Sequence, residues 1–168
     1  MKRIVSILAL LTLSLALLAG CGSSGTGGSS AEEGSGTVDL NAFFQSLETK
    51  YQWGEDYFMD LDDETLAATY PGLEEFTFQQ KVAKMPMMTA AVNEFVFLEC
   101  ESADDTAAVG QILKTRVETQ RDGGAWYPES MAAWGEAHVL ITDQYVALIA
   151  SSEYQDQIES AWNHQFGK

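Results

Sequence analysis

The chain has 168 residues, with 9 basic and 25 acidic side chains, a formal net charge of −16 and a pI near 4.2. That length allows one domain, or a domain with a tether, and excludes a large multidomain enzyme. A hydrophobic fraction of 46% excludes disorder over most of the chain, and the acidity excludes a nucleic-acid partner, because phosphate binding needs a basic stripe.

The N-terminus sets Lys2 and Arg3 before an uncharged run from Ile4 to Leu18, followed by Ala19-Gly20-Cys21. Residues 1–20 read as a secretory signal with small residues at its cleavage site. The run falls short of the roughly 20 apolar residues of a membrane span. Leu18-Ala19-Gly20-Cys21 resembles the bacterial lipobox, after which the cysteine is diacylated and becomes the new N-terminus. Cys21 is therefore the expected lipidation site, and a diacylglyceryl-Cys anchor on the extracytoplasmic face of the cell membrane is the expected location. Two acyl chains anchor stably where one would be marginal. Cleavage would remove Lys2 and Arg3 but no acid, leaving 7 basic against 25 acidic groups. An anionic membrane surface does not attract such a chain, so the lipid must do the anchoring.

Residues 21–37 are expected to be the acylated cysteine plus a flexible tether. From Gly22 to Gly36 there are only Gly, Ser, Thr, Ala and two acids, Glu32 and Glu33, a composition that behaves as a coil reaching roughly 20 Å. Residues 38–168 then form a single domain, large enough to bury about two-thirds of its unfolded surface. With Cys21 acylated, Cys100 has no partner within the chain. It shares strand parity with Val96 and Leu98, which makes it a buried, inert thiol rather than a reactive one.

Within the domain, Leu40, Phe43, Phe44, Leu47 and Tyr51 lie at helical spacing behind Asp39 as N-cap. A shorter helix follows Asp62-Asp63-Glu64, carries Leu66, Ala67 and Tyr70 inward, and stops before Pro71-Gly72. Phe76 to Lys84 reads as a strand broken by Met85-Pro86-Met87-Met88, since proline cannot donate to a central ladder. Asn93 to Glu101 is a strand with a near-continuous apolar centre. A helix over 103–121 carries Val109, Ile112, Leu113 and Val117 inward. Ser102 and Asp105 form its capping box, Lys114, Arg116 and Arg121 complement the dipole at its end, and Gly123-Gly124 terminates it. Trp126-Tyr127-Pro128 opens a short helix with Met131 and Trp134. His138–Thr142 and Tyr145–Ala150 form a hairpin around Asp143-Gln144, a poorer turn than Asp-Gly, and a last helix spans 153–166. The order predicts an α+β domain with a mostly antiparallel sheet of about four strands and helices packed on one face.

Catalytic and metal chemistry find little support. His138 and His164 have no Cys or His at ligand spacing, so no zinc site, other metal or cofactor is expected, and no Gly-x-Ser-x-Gly elbow is present. Asp60-Leu61-Asp62-Asp63-Glu64 fails as a calcium loop, with Thr65 at the sixth position and Pro71 at the twelfth. The aromatic cluster Trp126, Tyr127 and Trp134 is the candidate ligand or partner surface. Helical spacing of Met131 and Trp134 favours the competing reading, in which these rings fill the core.

The lipobox and tether, together with Tyr70-Pro71-Gly72-Leu73, Met85-Pro86-Met87, Asn93-Glu94 and Gly124-Ala125-Trp126-Tyr127-Pro128-Glu129, form a set. The set resembles the small lipoproteins of low-GC Gram-positive bacteria that carry domain of unknown function 4358, over about residues 38–166. The resemblance implies an exported, acylated α+β domain and brings no activity or ligand with it. The expectation is a non-enzymatic, membrane-anchored module that binds a small ligand or an envelope protein. The alternative is a cell-envelope hydrolase whose residues assemble only in three dimensions.

Overall fold

The computed structural model describes residues 37–88 and 91–168; the expected signal segment, Cys21 and nearly all of the tether lie outside those residues. Asp39 caps the first helix, α1 (Leu40–Tyr51), by accepting from the Ala42 N–H at 2.9 Å. Asp62 does the same for α2 (Asp63–Thr69), accepting from Thr65 N–H at 2.8 Å, a bond that lowers the Asp62 pKa. The expected helix over 103–121 is built in three pieces. Ser102 accepts from the Asp104 N–H and starts a 3₁₀ turn, Ala103–Asp105; the α-helix proper, α3, runs Thr106–Thr119; a π-helical segment, Gln120–Gly124, closes it. The fourth helix, α4, spans Pro128–Gly135 and the fifth, α5, Gln155–Gln165. None of the described helices is long and apolar enough to cross a membrane.

Five strands, β1 (Phe58–Asp60), β2 (Phe78–Pro86), β3 (Asn93–Cys100), β4 (His138–Thr142) and β5 (Tyr145–Ser151), form one antiparallel sheet in the order β1-β2-β3-β5-β4. The α+β class is as expected, with one strand more than the four read from sequence. Strand β1 has only three residues, too few to display an alternation.

Pro86 does not break β2, contrary to expectation. The Leu61 and Met87 amides donate to Ala83 and Tyr57 carbonyls, so the odd-numbered residues of β2 bond to the β1 side. Pro86, opposite Phe58 in an even position, is not asked for an N–H there.

The helices cover both faces of the sheet rather than one. On one face Val96, Leu98 and Cys100 of β3 pack with Val146 and Leu148 of β5 beneath Leu66, Leu113 and Trp134 from α2, α3 and α4. On the other, Phe95 and Phe97 pack with Ala147 and Ile149 beneath Phe43 and Phe44 of α1 and Trp162 of α5. Trp162 stacks on Phe97 with centroids 5.2 Å apart. The physical reason is that every residue of β3 and β5 is buried; a strand apolar on both sides needs a layer on each, and each large side chain so buried contributes about 1.5–3 kcal/mol.

Two carboxylates are buried in β3. Glu99 accepts from Gln80 Nε2 at 2.5 Å, Gln144 Nε2 at 2.6 Å and the Tyr145 hydroxyl at 2.8 Å. The same groups clasp the start of the domain: Gln80 bonds to both Val38 O and Leu40 N, and Tyr145 Oη accepts from Val38 N–H. Gln144 therefore has a task in the β4–β5 turn that glycine could not perform, while Asp143 takes the left-handed φ of 51° that the turn requires. The second carboxylate, Glu94, belongs to the candidate site.

Candidate functional site

The π-helical segment shapes one wall of the site. Gly123 takes φ 137°, and the Ala125 N–H returns to Gln120 O at 2.9 Å. A Cβ on Gly124 would sit 2.9 Å from Thr119 O and 2.8 Å from Gln120 Nε2, so the turn closes only around glycine. The chain then extends through Ala125 to Tyr127, and Pro128 restarts the helix at its first position.

This path separates the three candidate aromatics. Trp126 and Tyr127 stand outside the fold, 86% and 60% exposed, whereas Trp134 is 4% exposed and packed in the core. Met131, three residues before Trp134, is exposed, so their helical spacing does not place both inward. All three aromatics nevertheless line one cleft of about 430 Å³. Trp126 and Tyr127 form its exposed rim and Trp134 its buried wall.

The floor is an ion pair that the sequence reading missed. Arg116 of α3 donates to Glu94 of β3 twice, Nε to Oε1 at 3.0 Å and Nη2 to Oε2 at 2.9 Å. The Tyr70 hydroxyl donates to Glu94 Oε1 from behind. Burial pushes the Tyr70 hydroxyl well above its ordinary pKa, and the charge of Glu94 adds to the effect, so Tyr70 remains a donor. Burial opposes the charge on Arg116, but the bonds and charge of Glu94 outweigh it and the net shift is upward. The guanidinium carbon lies 5.4 Å from the Trp134 ring centroid, within cation–π range. Arg116 stands in the last turn of α3, as expected of a charge that complements the dipole, and also on the inward stripe, three residues after Leu113. A carboxylate at Glu94, in parity with Val96, Leu98 and Cys100, was the available signal that a cation must face it.

Two further polar side chains reach the cleft. Gln120 and Ser130 both line it, and Ser130 is 6% exposed. Met85, Pro86, Ala91 and Val92 supply an apolar wall. Asn93 is fixed at its margin by a bond to the Tyr57 hydroxyl at 2.6 Å and one from Ser151 Oγ at 2.7 Å. A larger hollow of about 840 Å³ lies on the far side of Tyr70 and Arg116, between Pro71-Gly72 and α3, and no exposed large aromatic lines it.

Elsewhere, Cys100 is fully buried, and burial followed by the charge of Asp105 pushes its thiol up to about 11. His138 lies on the sheet edge, Nδ1 2.6 Å from Glu159 Oε1. No cluster of three or more potential metal ligands occurs among the described residues.

The separate segments Tyr70, Met85-Pro86, Asn93-Glu94 and Gly124 to Tyr127 thus meet around one cleft. No curated protein and no solved structure matches the chain. A family model described as a domain of unknown function, DUF4358, matches residues 52–151. The match runs from the end of α1 through all five strands and the three helices of the cleft side, leaving α1 and α5 outside it. It covers more than half of the 168 residues, and the chain belongs to the DUF4358 family.

Proposed function

We propose that this protein is a membrane-anchored, extracytoplasmic binding module and that the Trp126–Tyr127 cleft is its ligand site. One observation carries the reading: two large aromatic side chains stand exposed at the mouth of a cavity whose floor is a largely buried ion pair. Exposed aromatics of this size at a concave site are characteristic of recognition surfaces. Glu94 is the single carboxylate lining the cleft among the described residues, and both of its oxygens are already occupied by Arg116 and Tyr70. That favours binding over general-base chemistry, which needs a carboxylate free to take a proton. The membrane anchor rests on the lipobox at Cys21.

The test is nuclear magnetic resonance of the full chain in micelles against a fragment library spanning sugars, amino acids, short peptides and aromatic acids. At least one class should shift the Ser130 amide and the Trp134 indole N–H, and Trp126→Ala should abolish the shift while leaving the thermal midpoint unchanged. If no class moves those resonances, the cleft is not a ligand site. Mass spectrometry of the N-terminal peptide tests the anchor, which requires a diacylglyceryl adduct on Cys21 that Cys21→Ser lacks.

A further inference from the structure

We infer that the cleft takes a neutral glycan carrying N-acetyl groups, an inference that rests on the reading of the cleft as a binding site. Charge is the first argument. The floor holds one cation and one anion bonded to each other, so an anionic ligand meets no free positive charge and a cationic one meets no free carboxylate. The acidic chain as a whole further disfavours anions.

Hydrogen-bonding capacity is the second. The Gln120 carboxamide and the Ser130 hydroxyl line the cleft, and each can both donate and accept. Arg116 keeps N–H groups beyond the two that Glu94 takes. Neutral groups of mixed donor and acceptor character match hydroxyl and acetamido groups, which have the same dual character.

Shape is the third. Trp126 and Tyr127, adjacent and exposed, offer flat faces for the C–H-rich face of a pyranose ring. Met85, Pro86 and Val92 offer apolar surface for an acetyl methyl. A cavity of about 430 Å³ holds a small ligand. An extended peptide is less well served, because it gains most of its affinity by adding to an open strand edge. The strands at the cleft are already paired there, Met85 with Met59 and Asn93 with Ser151.

The experiment titrates the full chain, in a detergent without a sugar headgroup, with four probes: the trimers of N-acetylglucosamine, glucose and glucosamine, and a proline-rich peptide. Tryptophan fluorescence and the Gln120 and Ser130 resonances report binding. The N-acetylated trimer should bind, with the glucose trimer weaker and the cationic glucosamine trimer weakest. Trp126→Ala and Gln120→Ala should each weaken the N-acetylated trimer by at least about tenfold, the equivalent of one good contact. Trp126→Ala, at an exposed position, should leave the fold intact, so lost binding there is not lost structure. If the peptide or the glucosamine trimer moves the cleft resonances and the N-acetylated trimer does not, the glycan assignment is overturned while the binding site stands. If none of the four probes, and none of the fragment classes above, moves them, both fall.

Discussion

Arg116 and Glu94 are joined by two parallel bonds, 3.0 and 2.9 Å long, that tie the last turns of α3 to the first residues of β3. The Glu94 side chain is 4% exposed and the Arg116 side chain 20%, so the pair is largely removed from water. Breaking such a pair from one side leaves an uncompensated charge in the interior, which costs far more than the pair itself contributes.

Arg116→Met should therefore destabilise the domain by about 3–5 kcal/mol. Adding Glu94→Leu in the same chain should recover much of that loss, because the orphaned charge is gone. Urea denaturation of the single and double variants measures both. A loss below about 1 kcal/mol for Arg116→Met would mean that water reaches the floor and the ion pair is not buried in solution.

Gln144→Gly tests the β4–β5 turn. On turn chemistry alone the glycine should help, since Asp-Gly is the better hairpin dipeptide. The Gln144 carboxamide, however, donates to the buried Glu99 at 2.6 Å. The expected outcome is a loss of about 1–3 kcal/mol, the desolvation cost of an under-bonded buried acceptor. A gain in thermal midpoint would show that Gln80 and Tyr145 satisfy Glu99 unaided.

Two glycines should respond to alanine to different degrees. At Gly124 the new methyl meets the Thr119 carbonyl at 2.9 Å, a backbone atom that cannot step aside, so Gly124→Ala should cost about 1–3 kcal/mol and distort the cleft wall. At Gly110 it meets Ile141 Cδ1 at 2.7 Å, the tip of a flexible side chain that is 41% exposed. There the better helix propensity of alanine offsets the displacement, and the change should stay below about 1 kcal/mol. Circular-dichroism melts of the two variants side by side decide the matter.

The sequence carried most of this architecture where a local rule governed it. Asp39 and Asp62 announce their helices because a carboxylate before an apolar stripe has one favoured use. Asn93 to Glu101 announces a central strand because alternate residues on both faces are apolar. What stayed hidden depended on distant partners. Pro86 looked like a break until β1 supplied a pairing that does not need its N–H. Helices on both faces were implicit in the two-sided burial of β3, yet α1 and α5 lie at opposite ends of the chain and share a face only after folding. The aromatic candidates were legible as residues, but their division into an exposed rim and a buried wall is set by the π turn at Gln120–Gly124.

Alkaline stability should carry a signature of Cys100. Its thiol is raised from 9.0 to about 11 by burial. Below the lower value, folded and unfolded chains both hold the proton and nothing changes. Between the two values the unfolded chain has released the proton that the folded chain keeps, so stability falls as pH rises. Tyr70 and Tyr145 are shifted in the same direction and steepen the loss further up. Urea midpoints from about pH 8 to 10.5 should fall less steeply in Cys100→Ala than in the parent chain. In the native chain the thiol should react with a disulfide reagent only as fast as the domain opens. Immediate stoichiometric reaction would place it at the surface.

The clasp at Glu99 and the cleft stand at opposite ends of the sheet. Gln80 and Glu99 face each other at one end of β2 and β3, whereas Pro86, Asn93 and Glu94 stand at the other, five residues along β3 or roughly 17 Å away. Glu94 and Glu99 also point to opposite faces of the sheet, by their odd and even positions. The chain thus joins the domain at Val38 on the corner diagonally across from the cleft. A substitution or a label at Val38 therefore stands apart from every residue that lines the cleft.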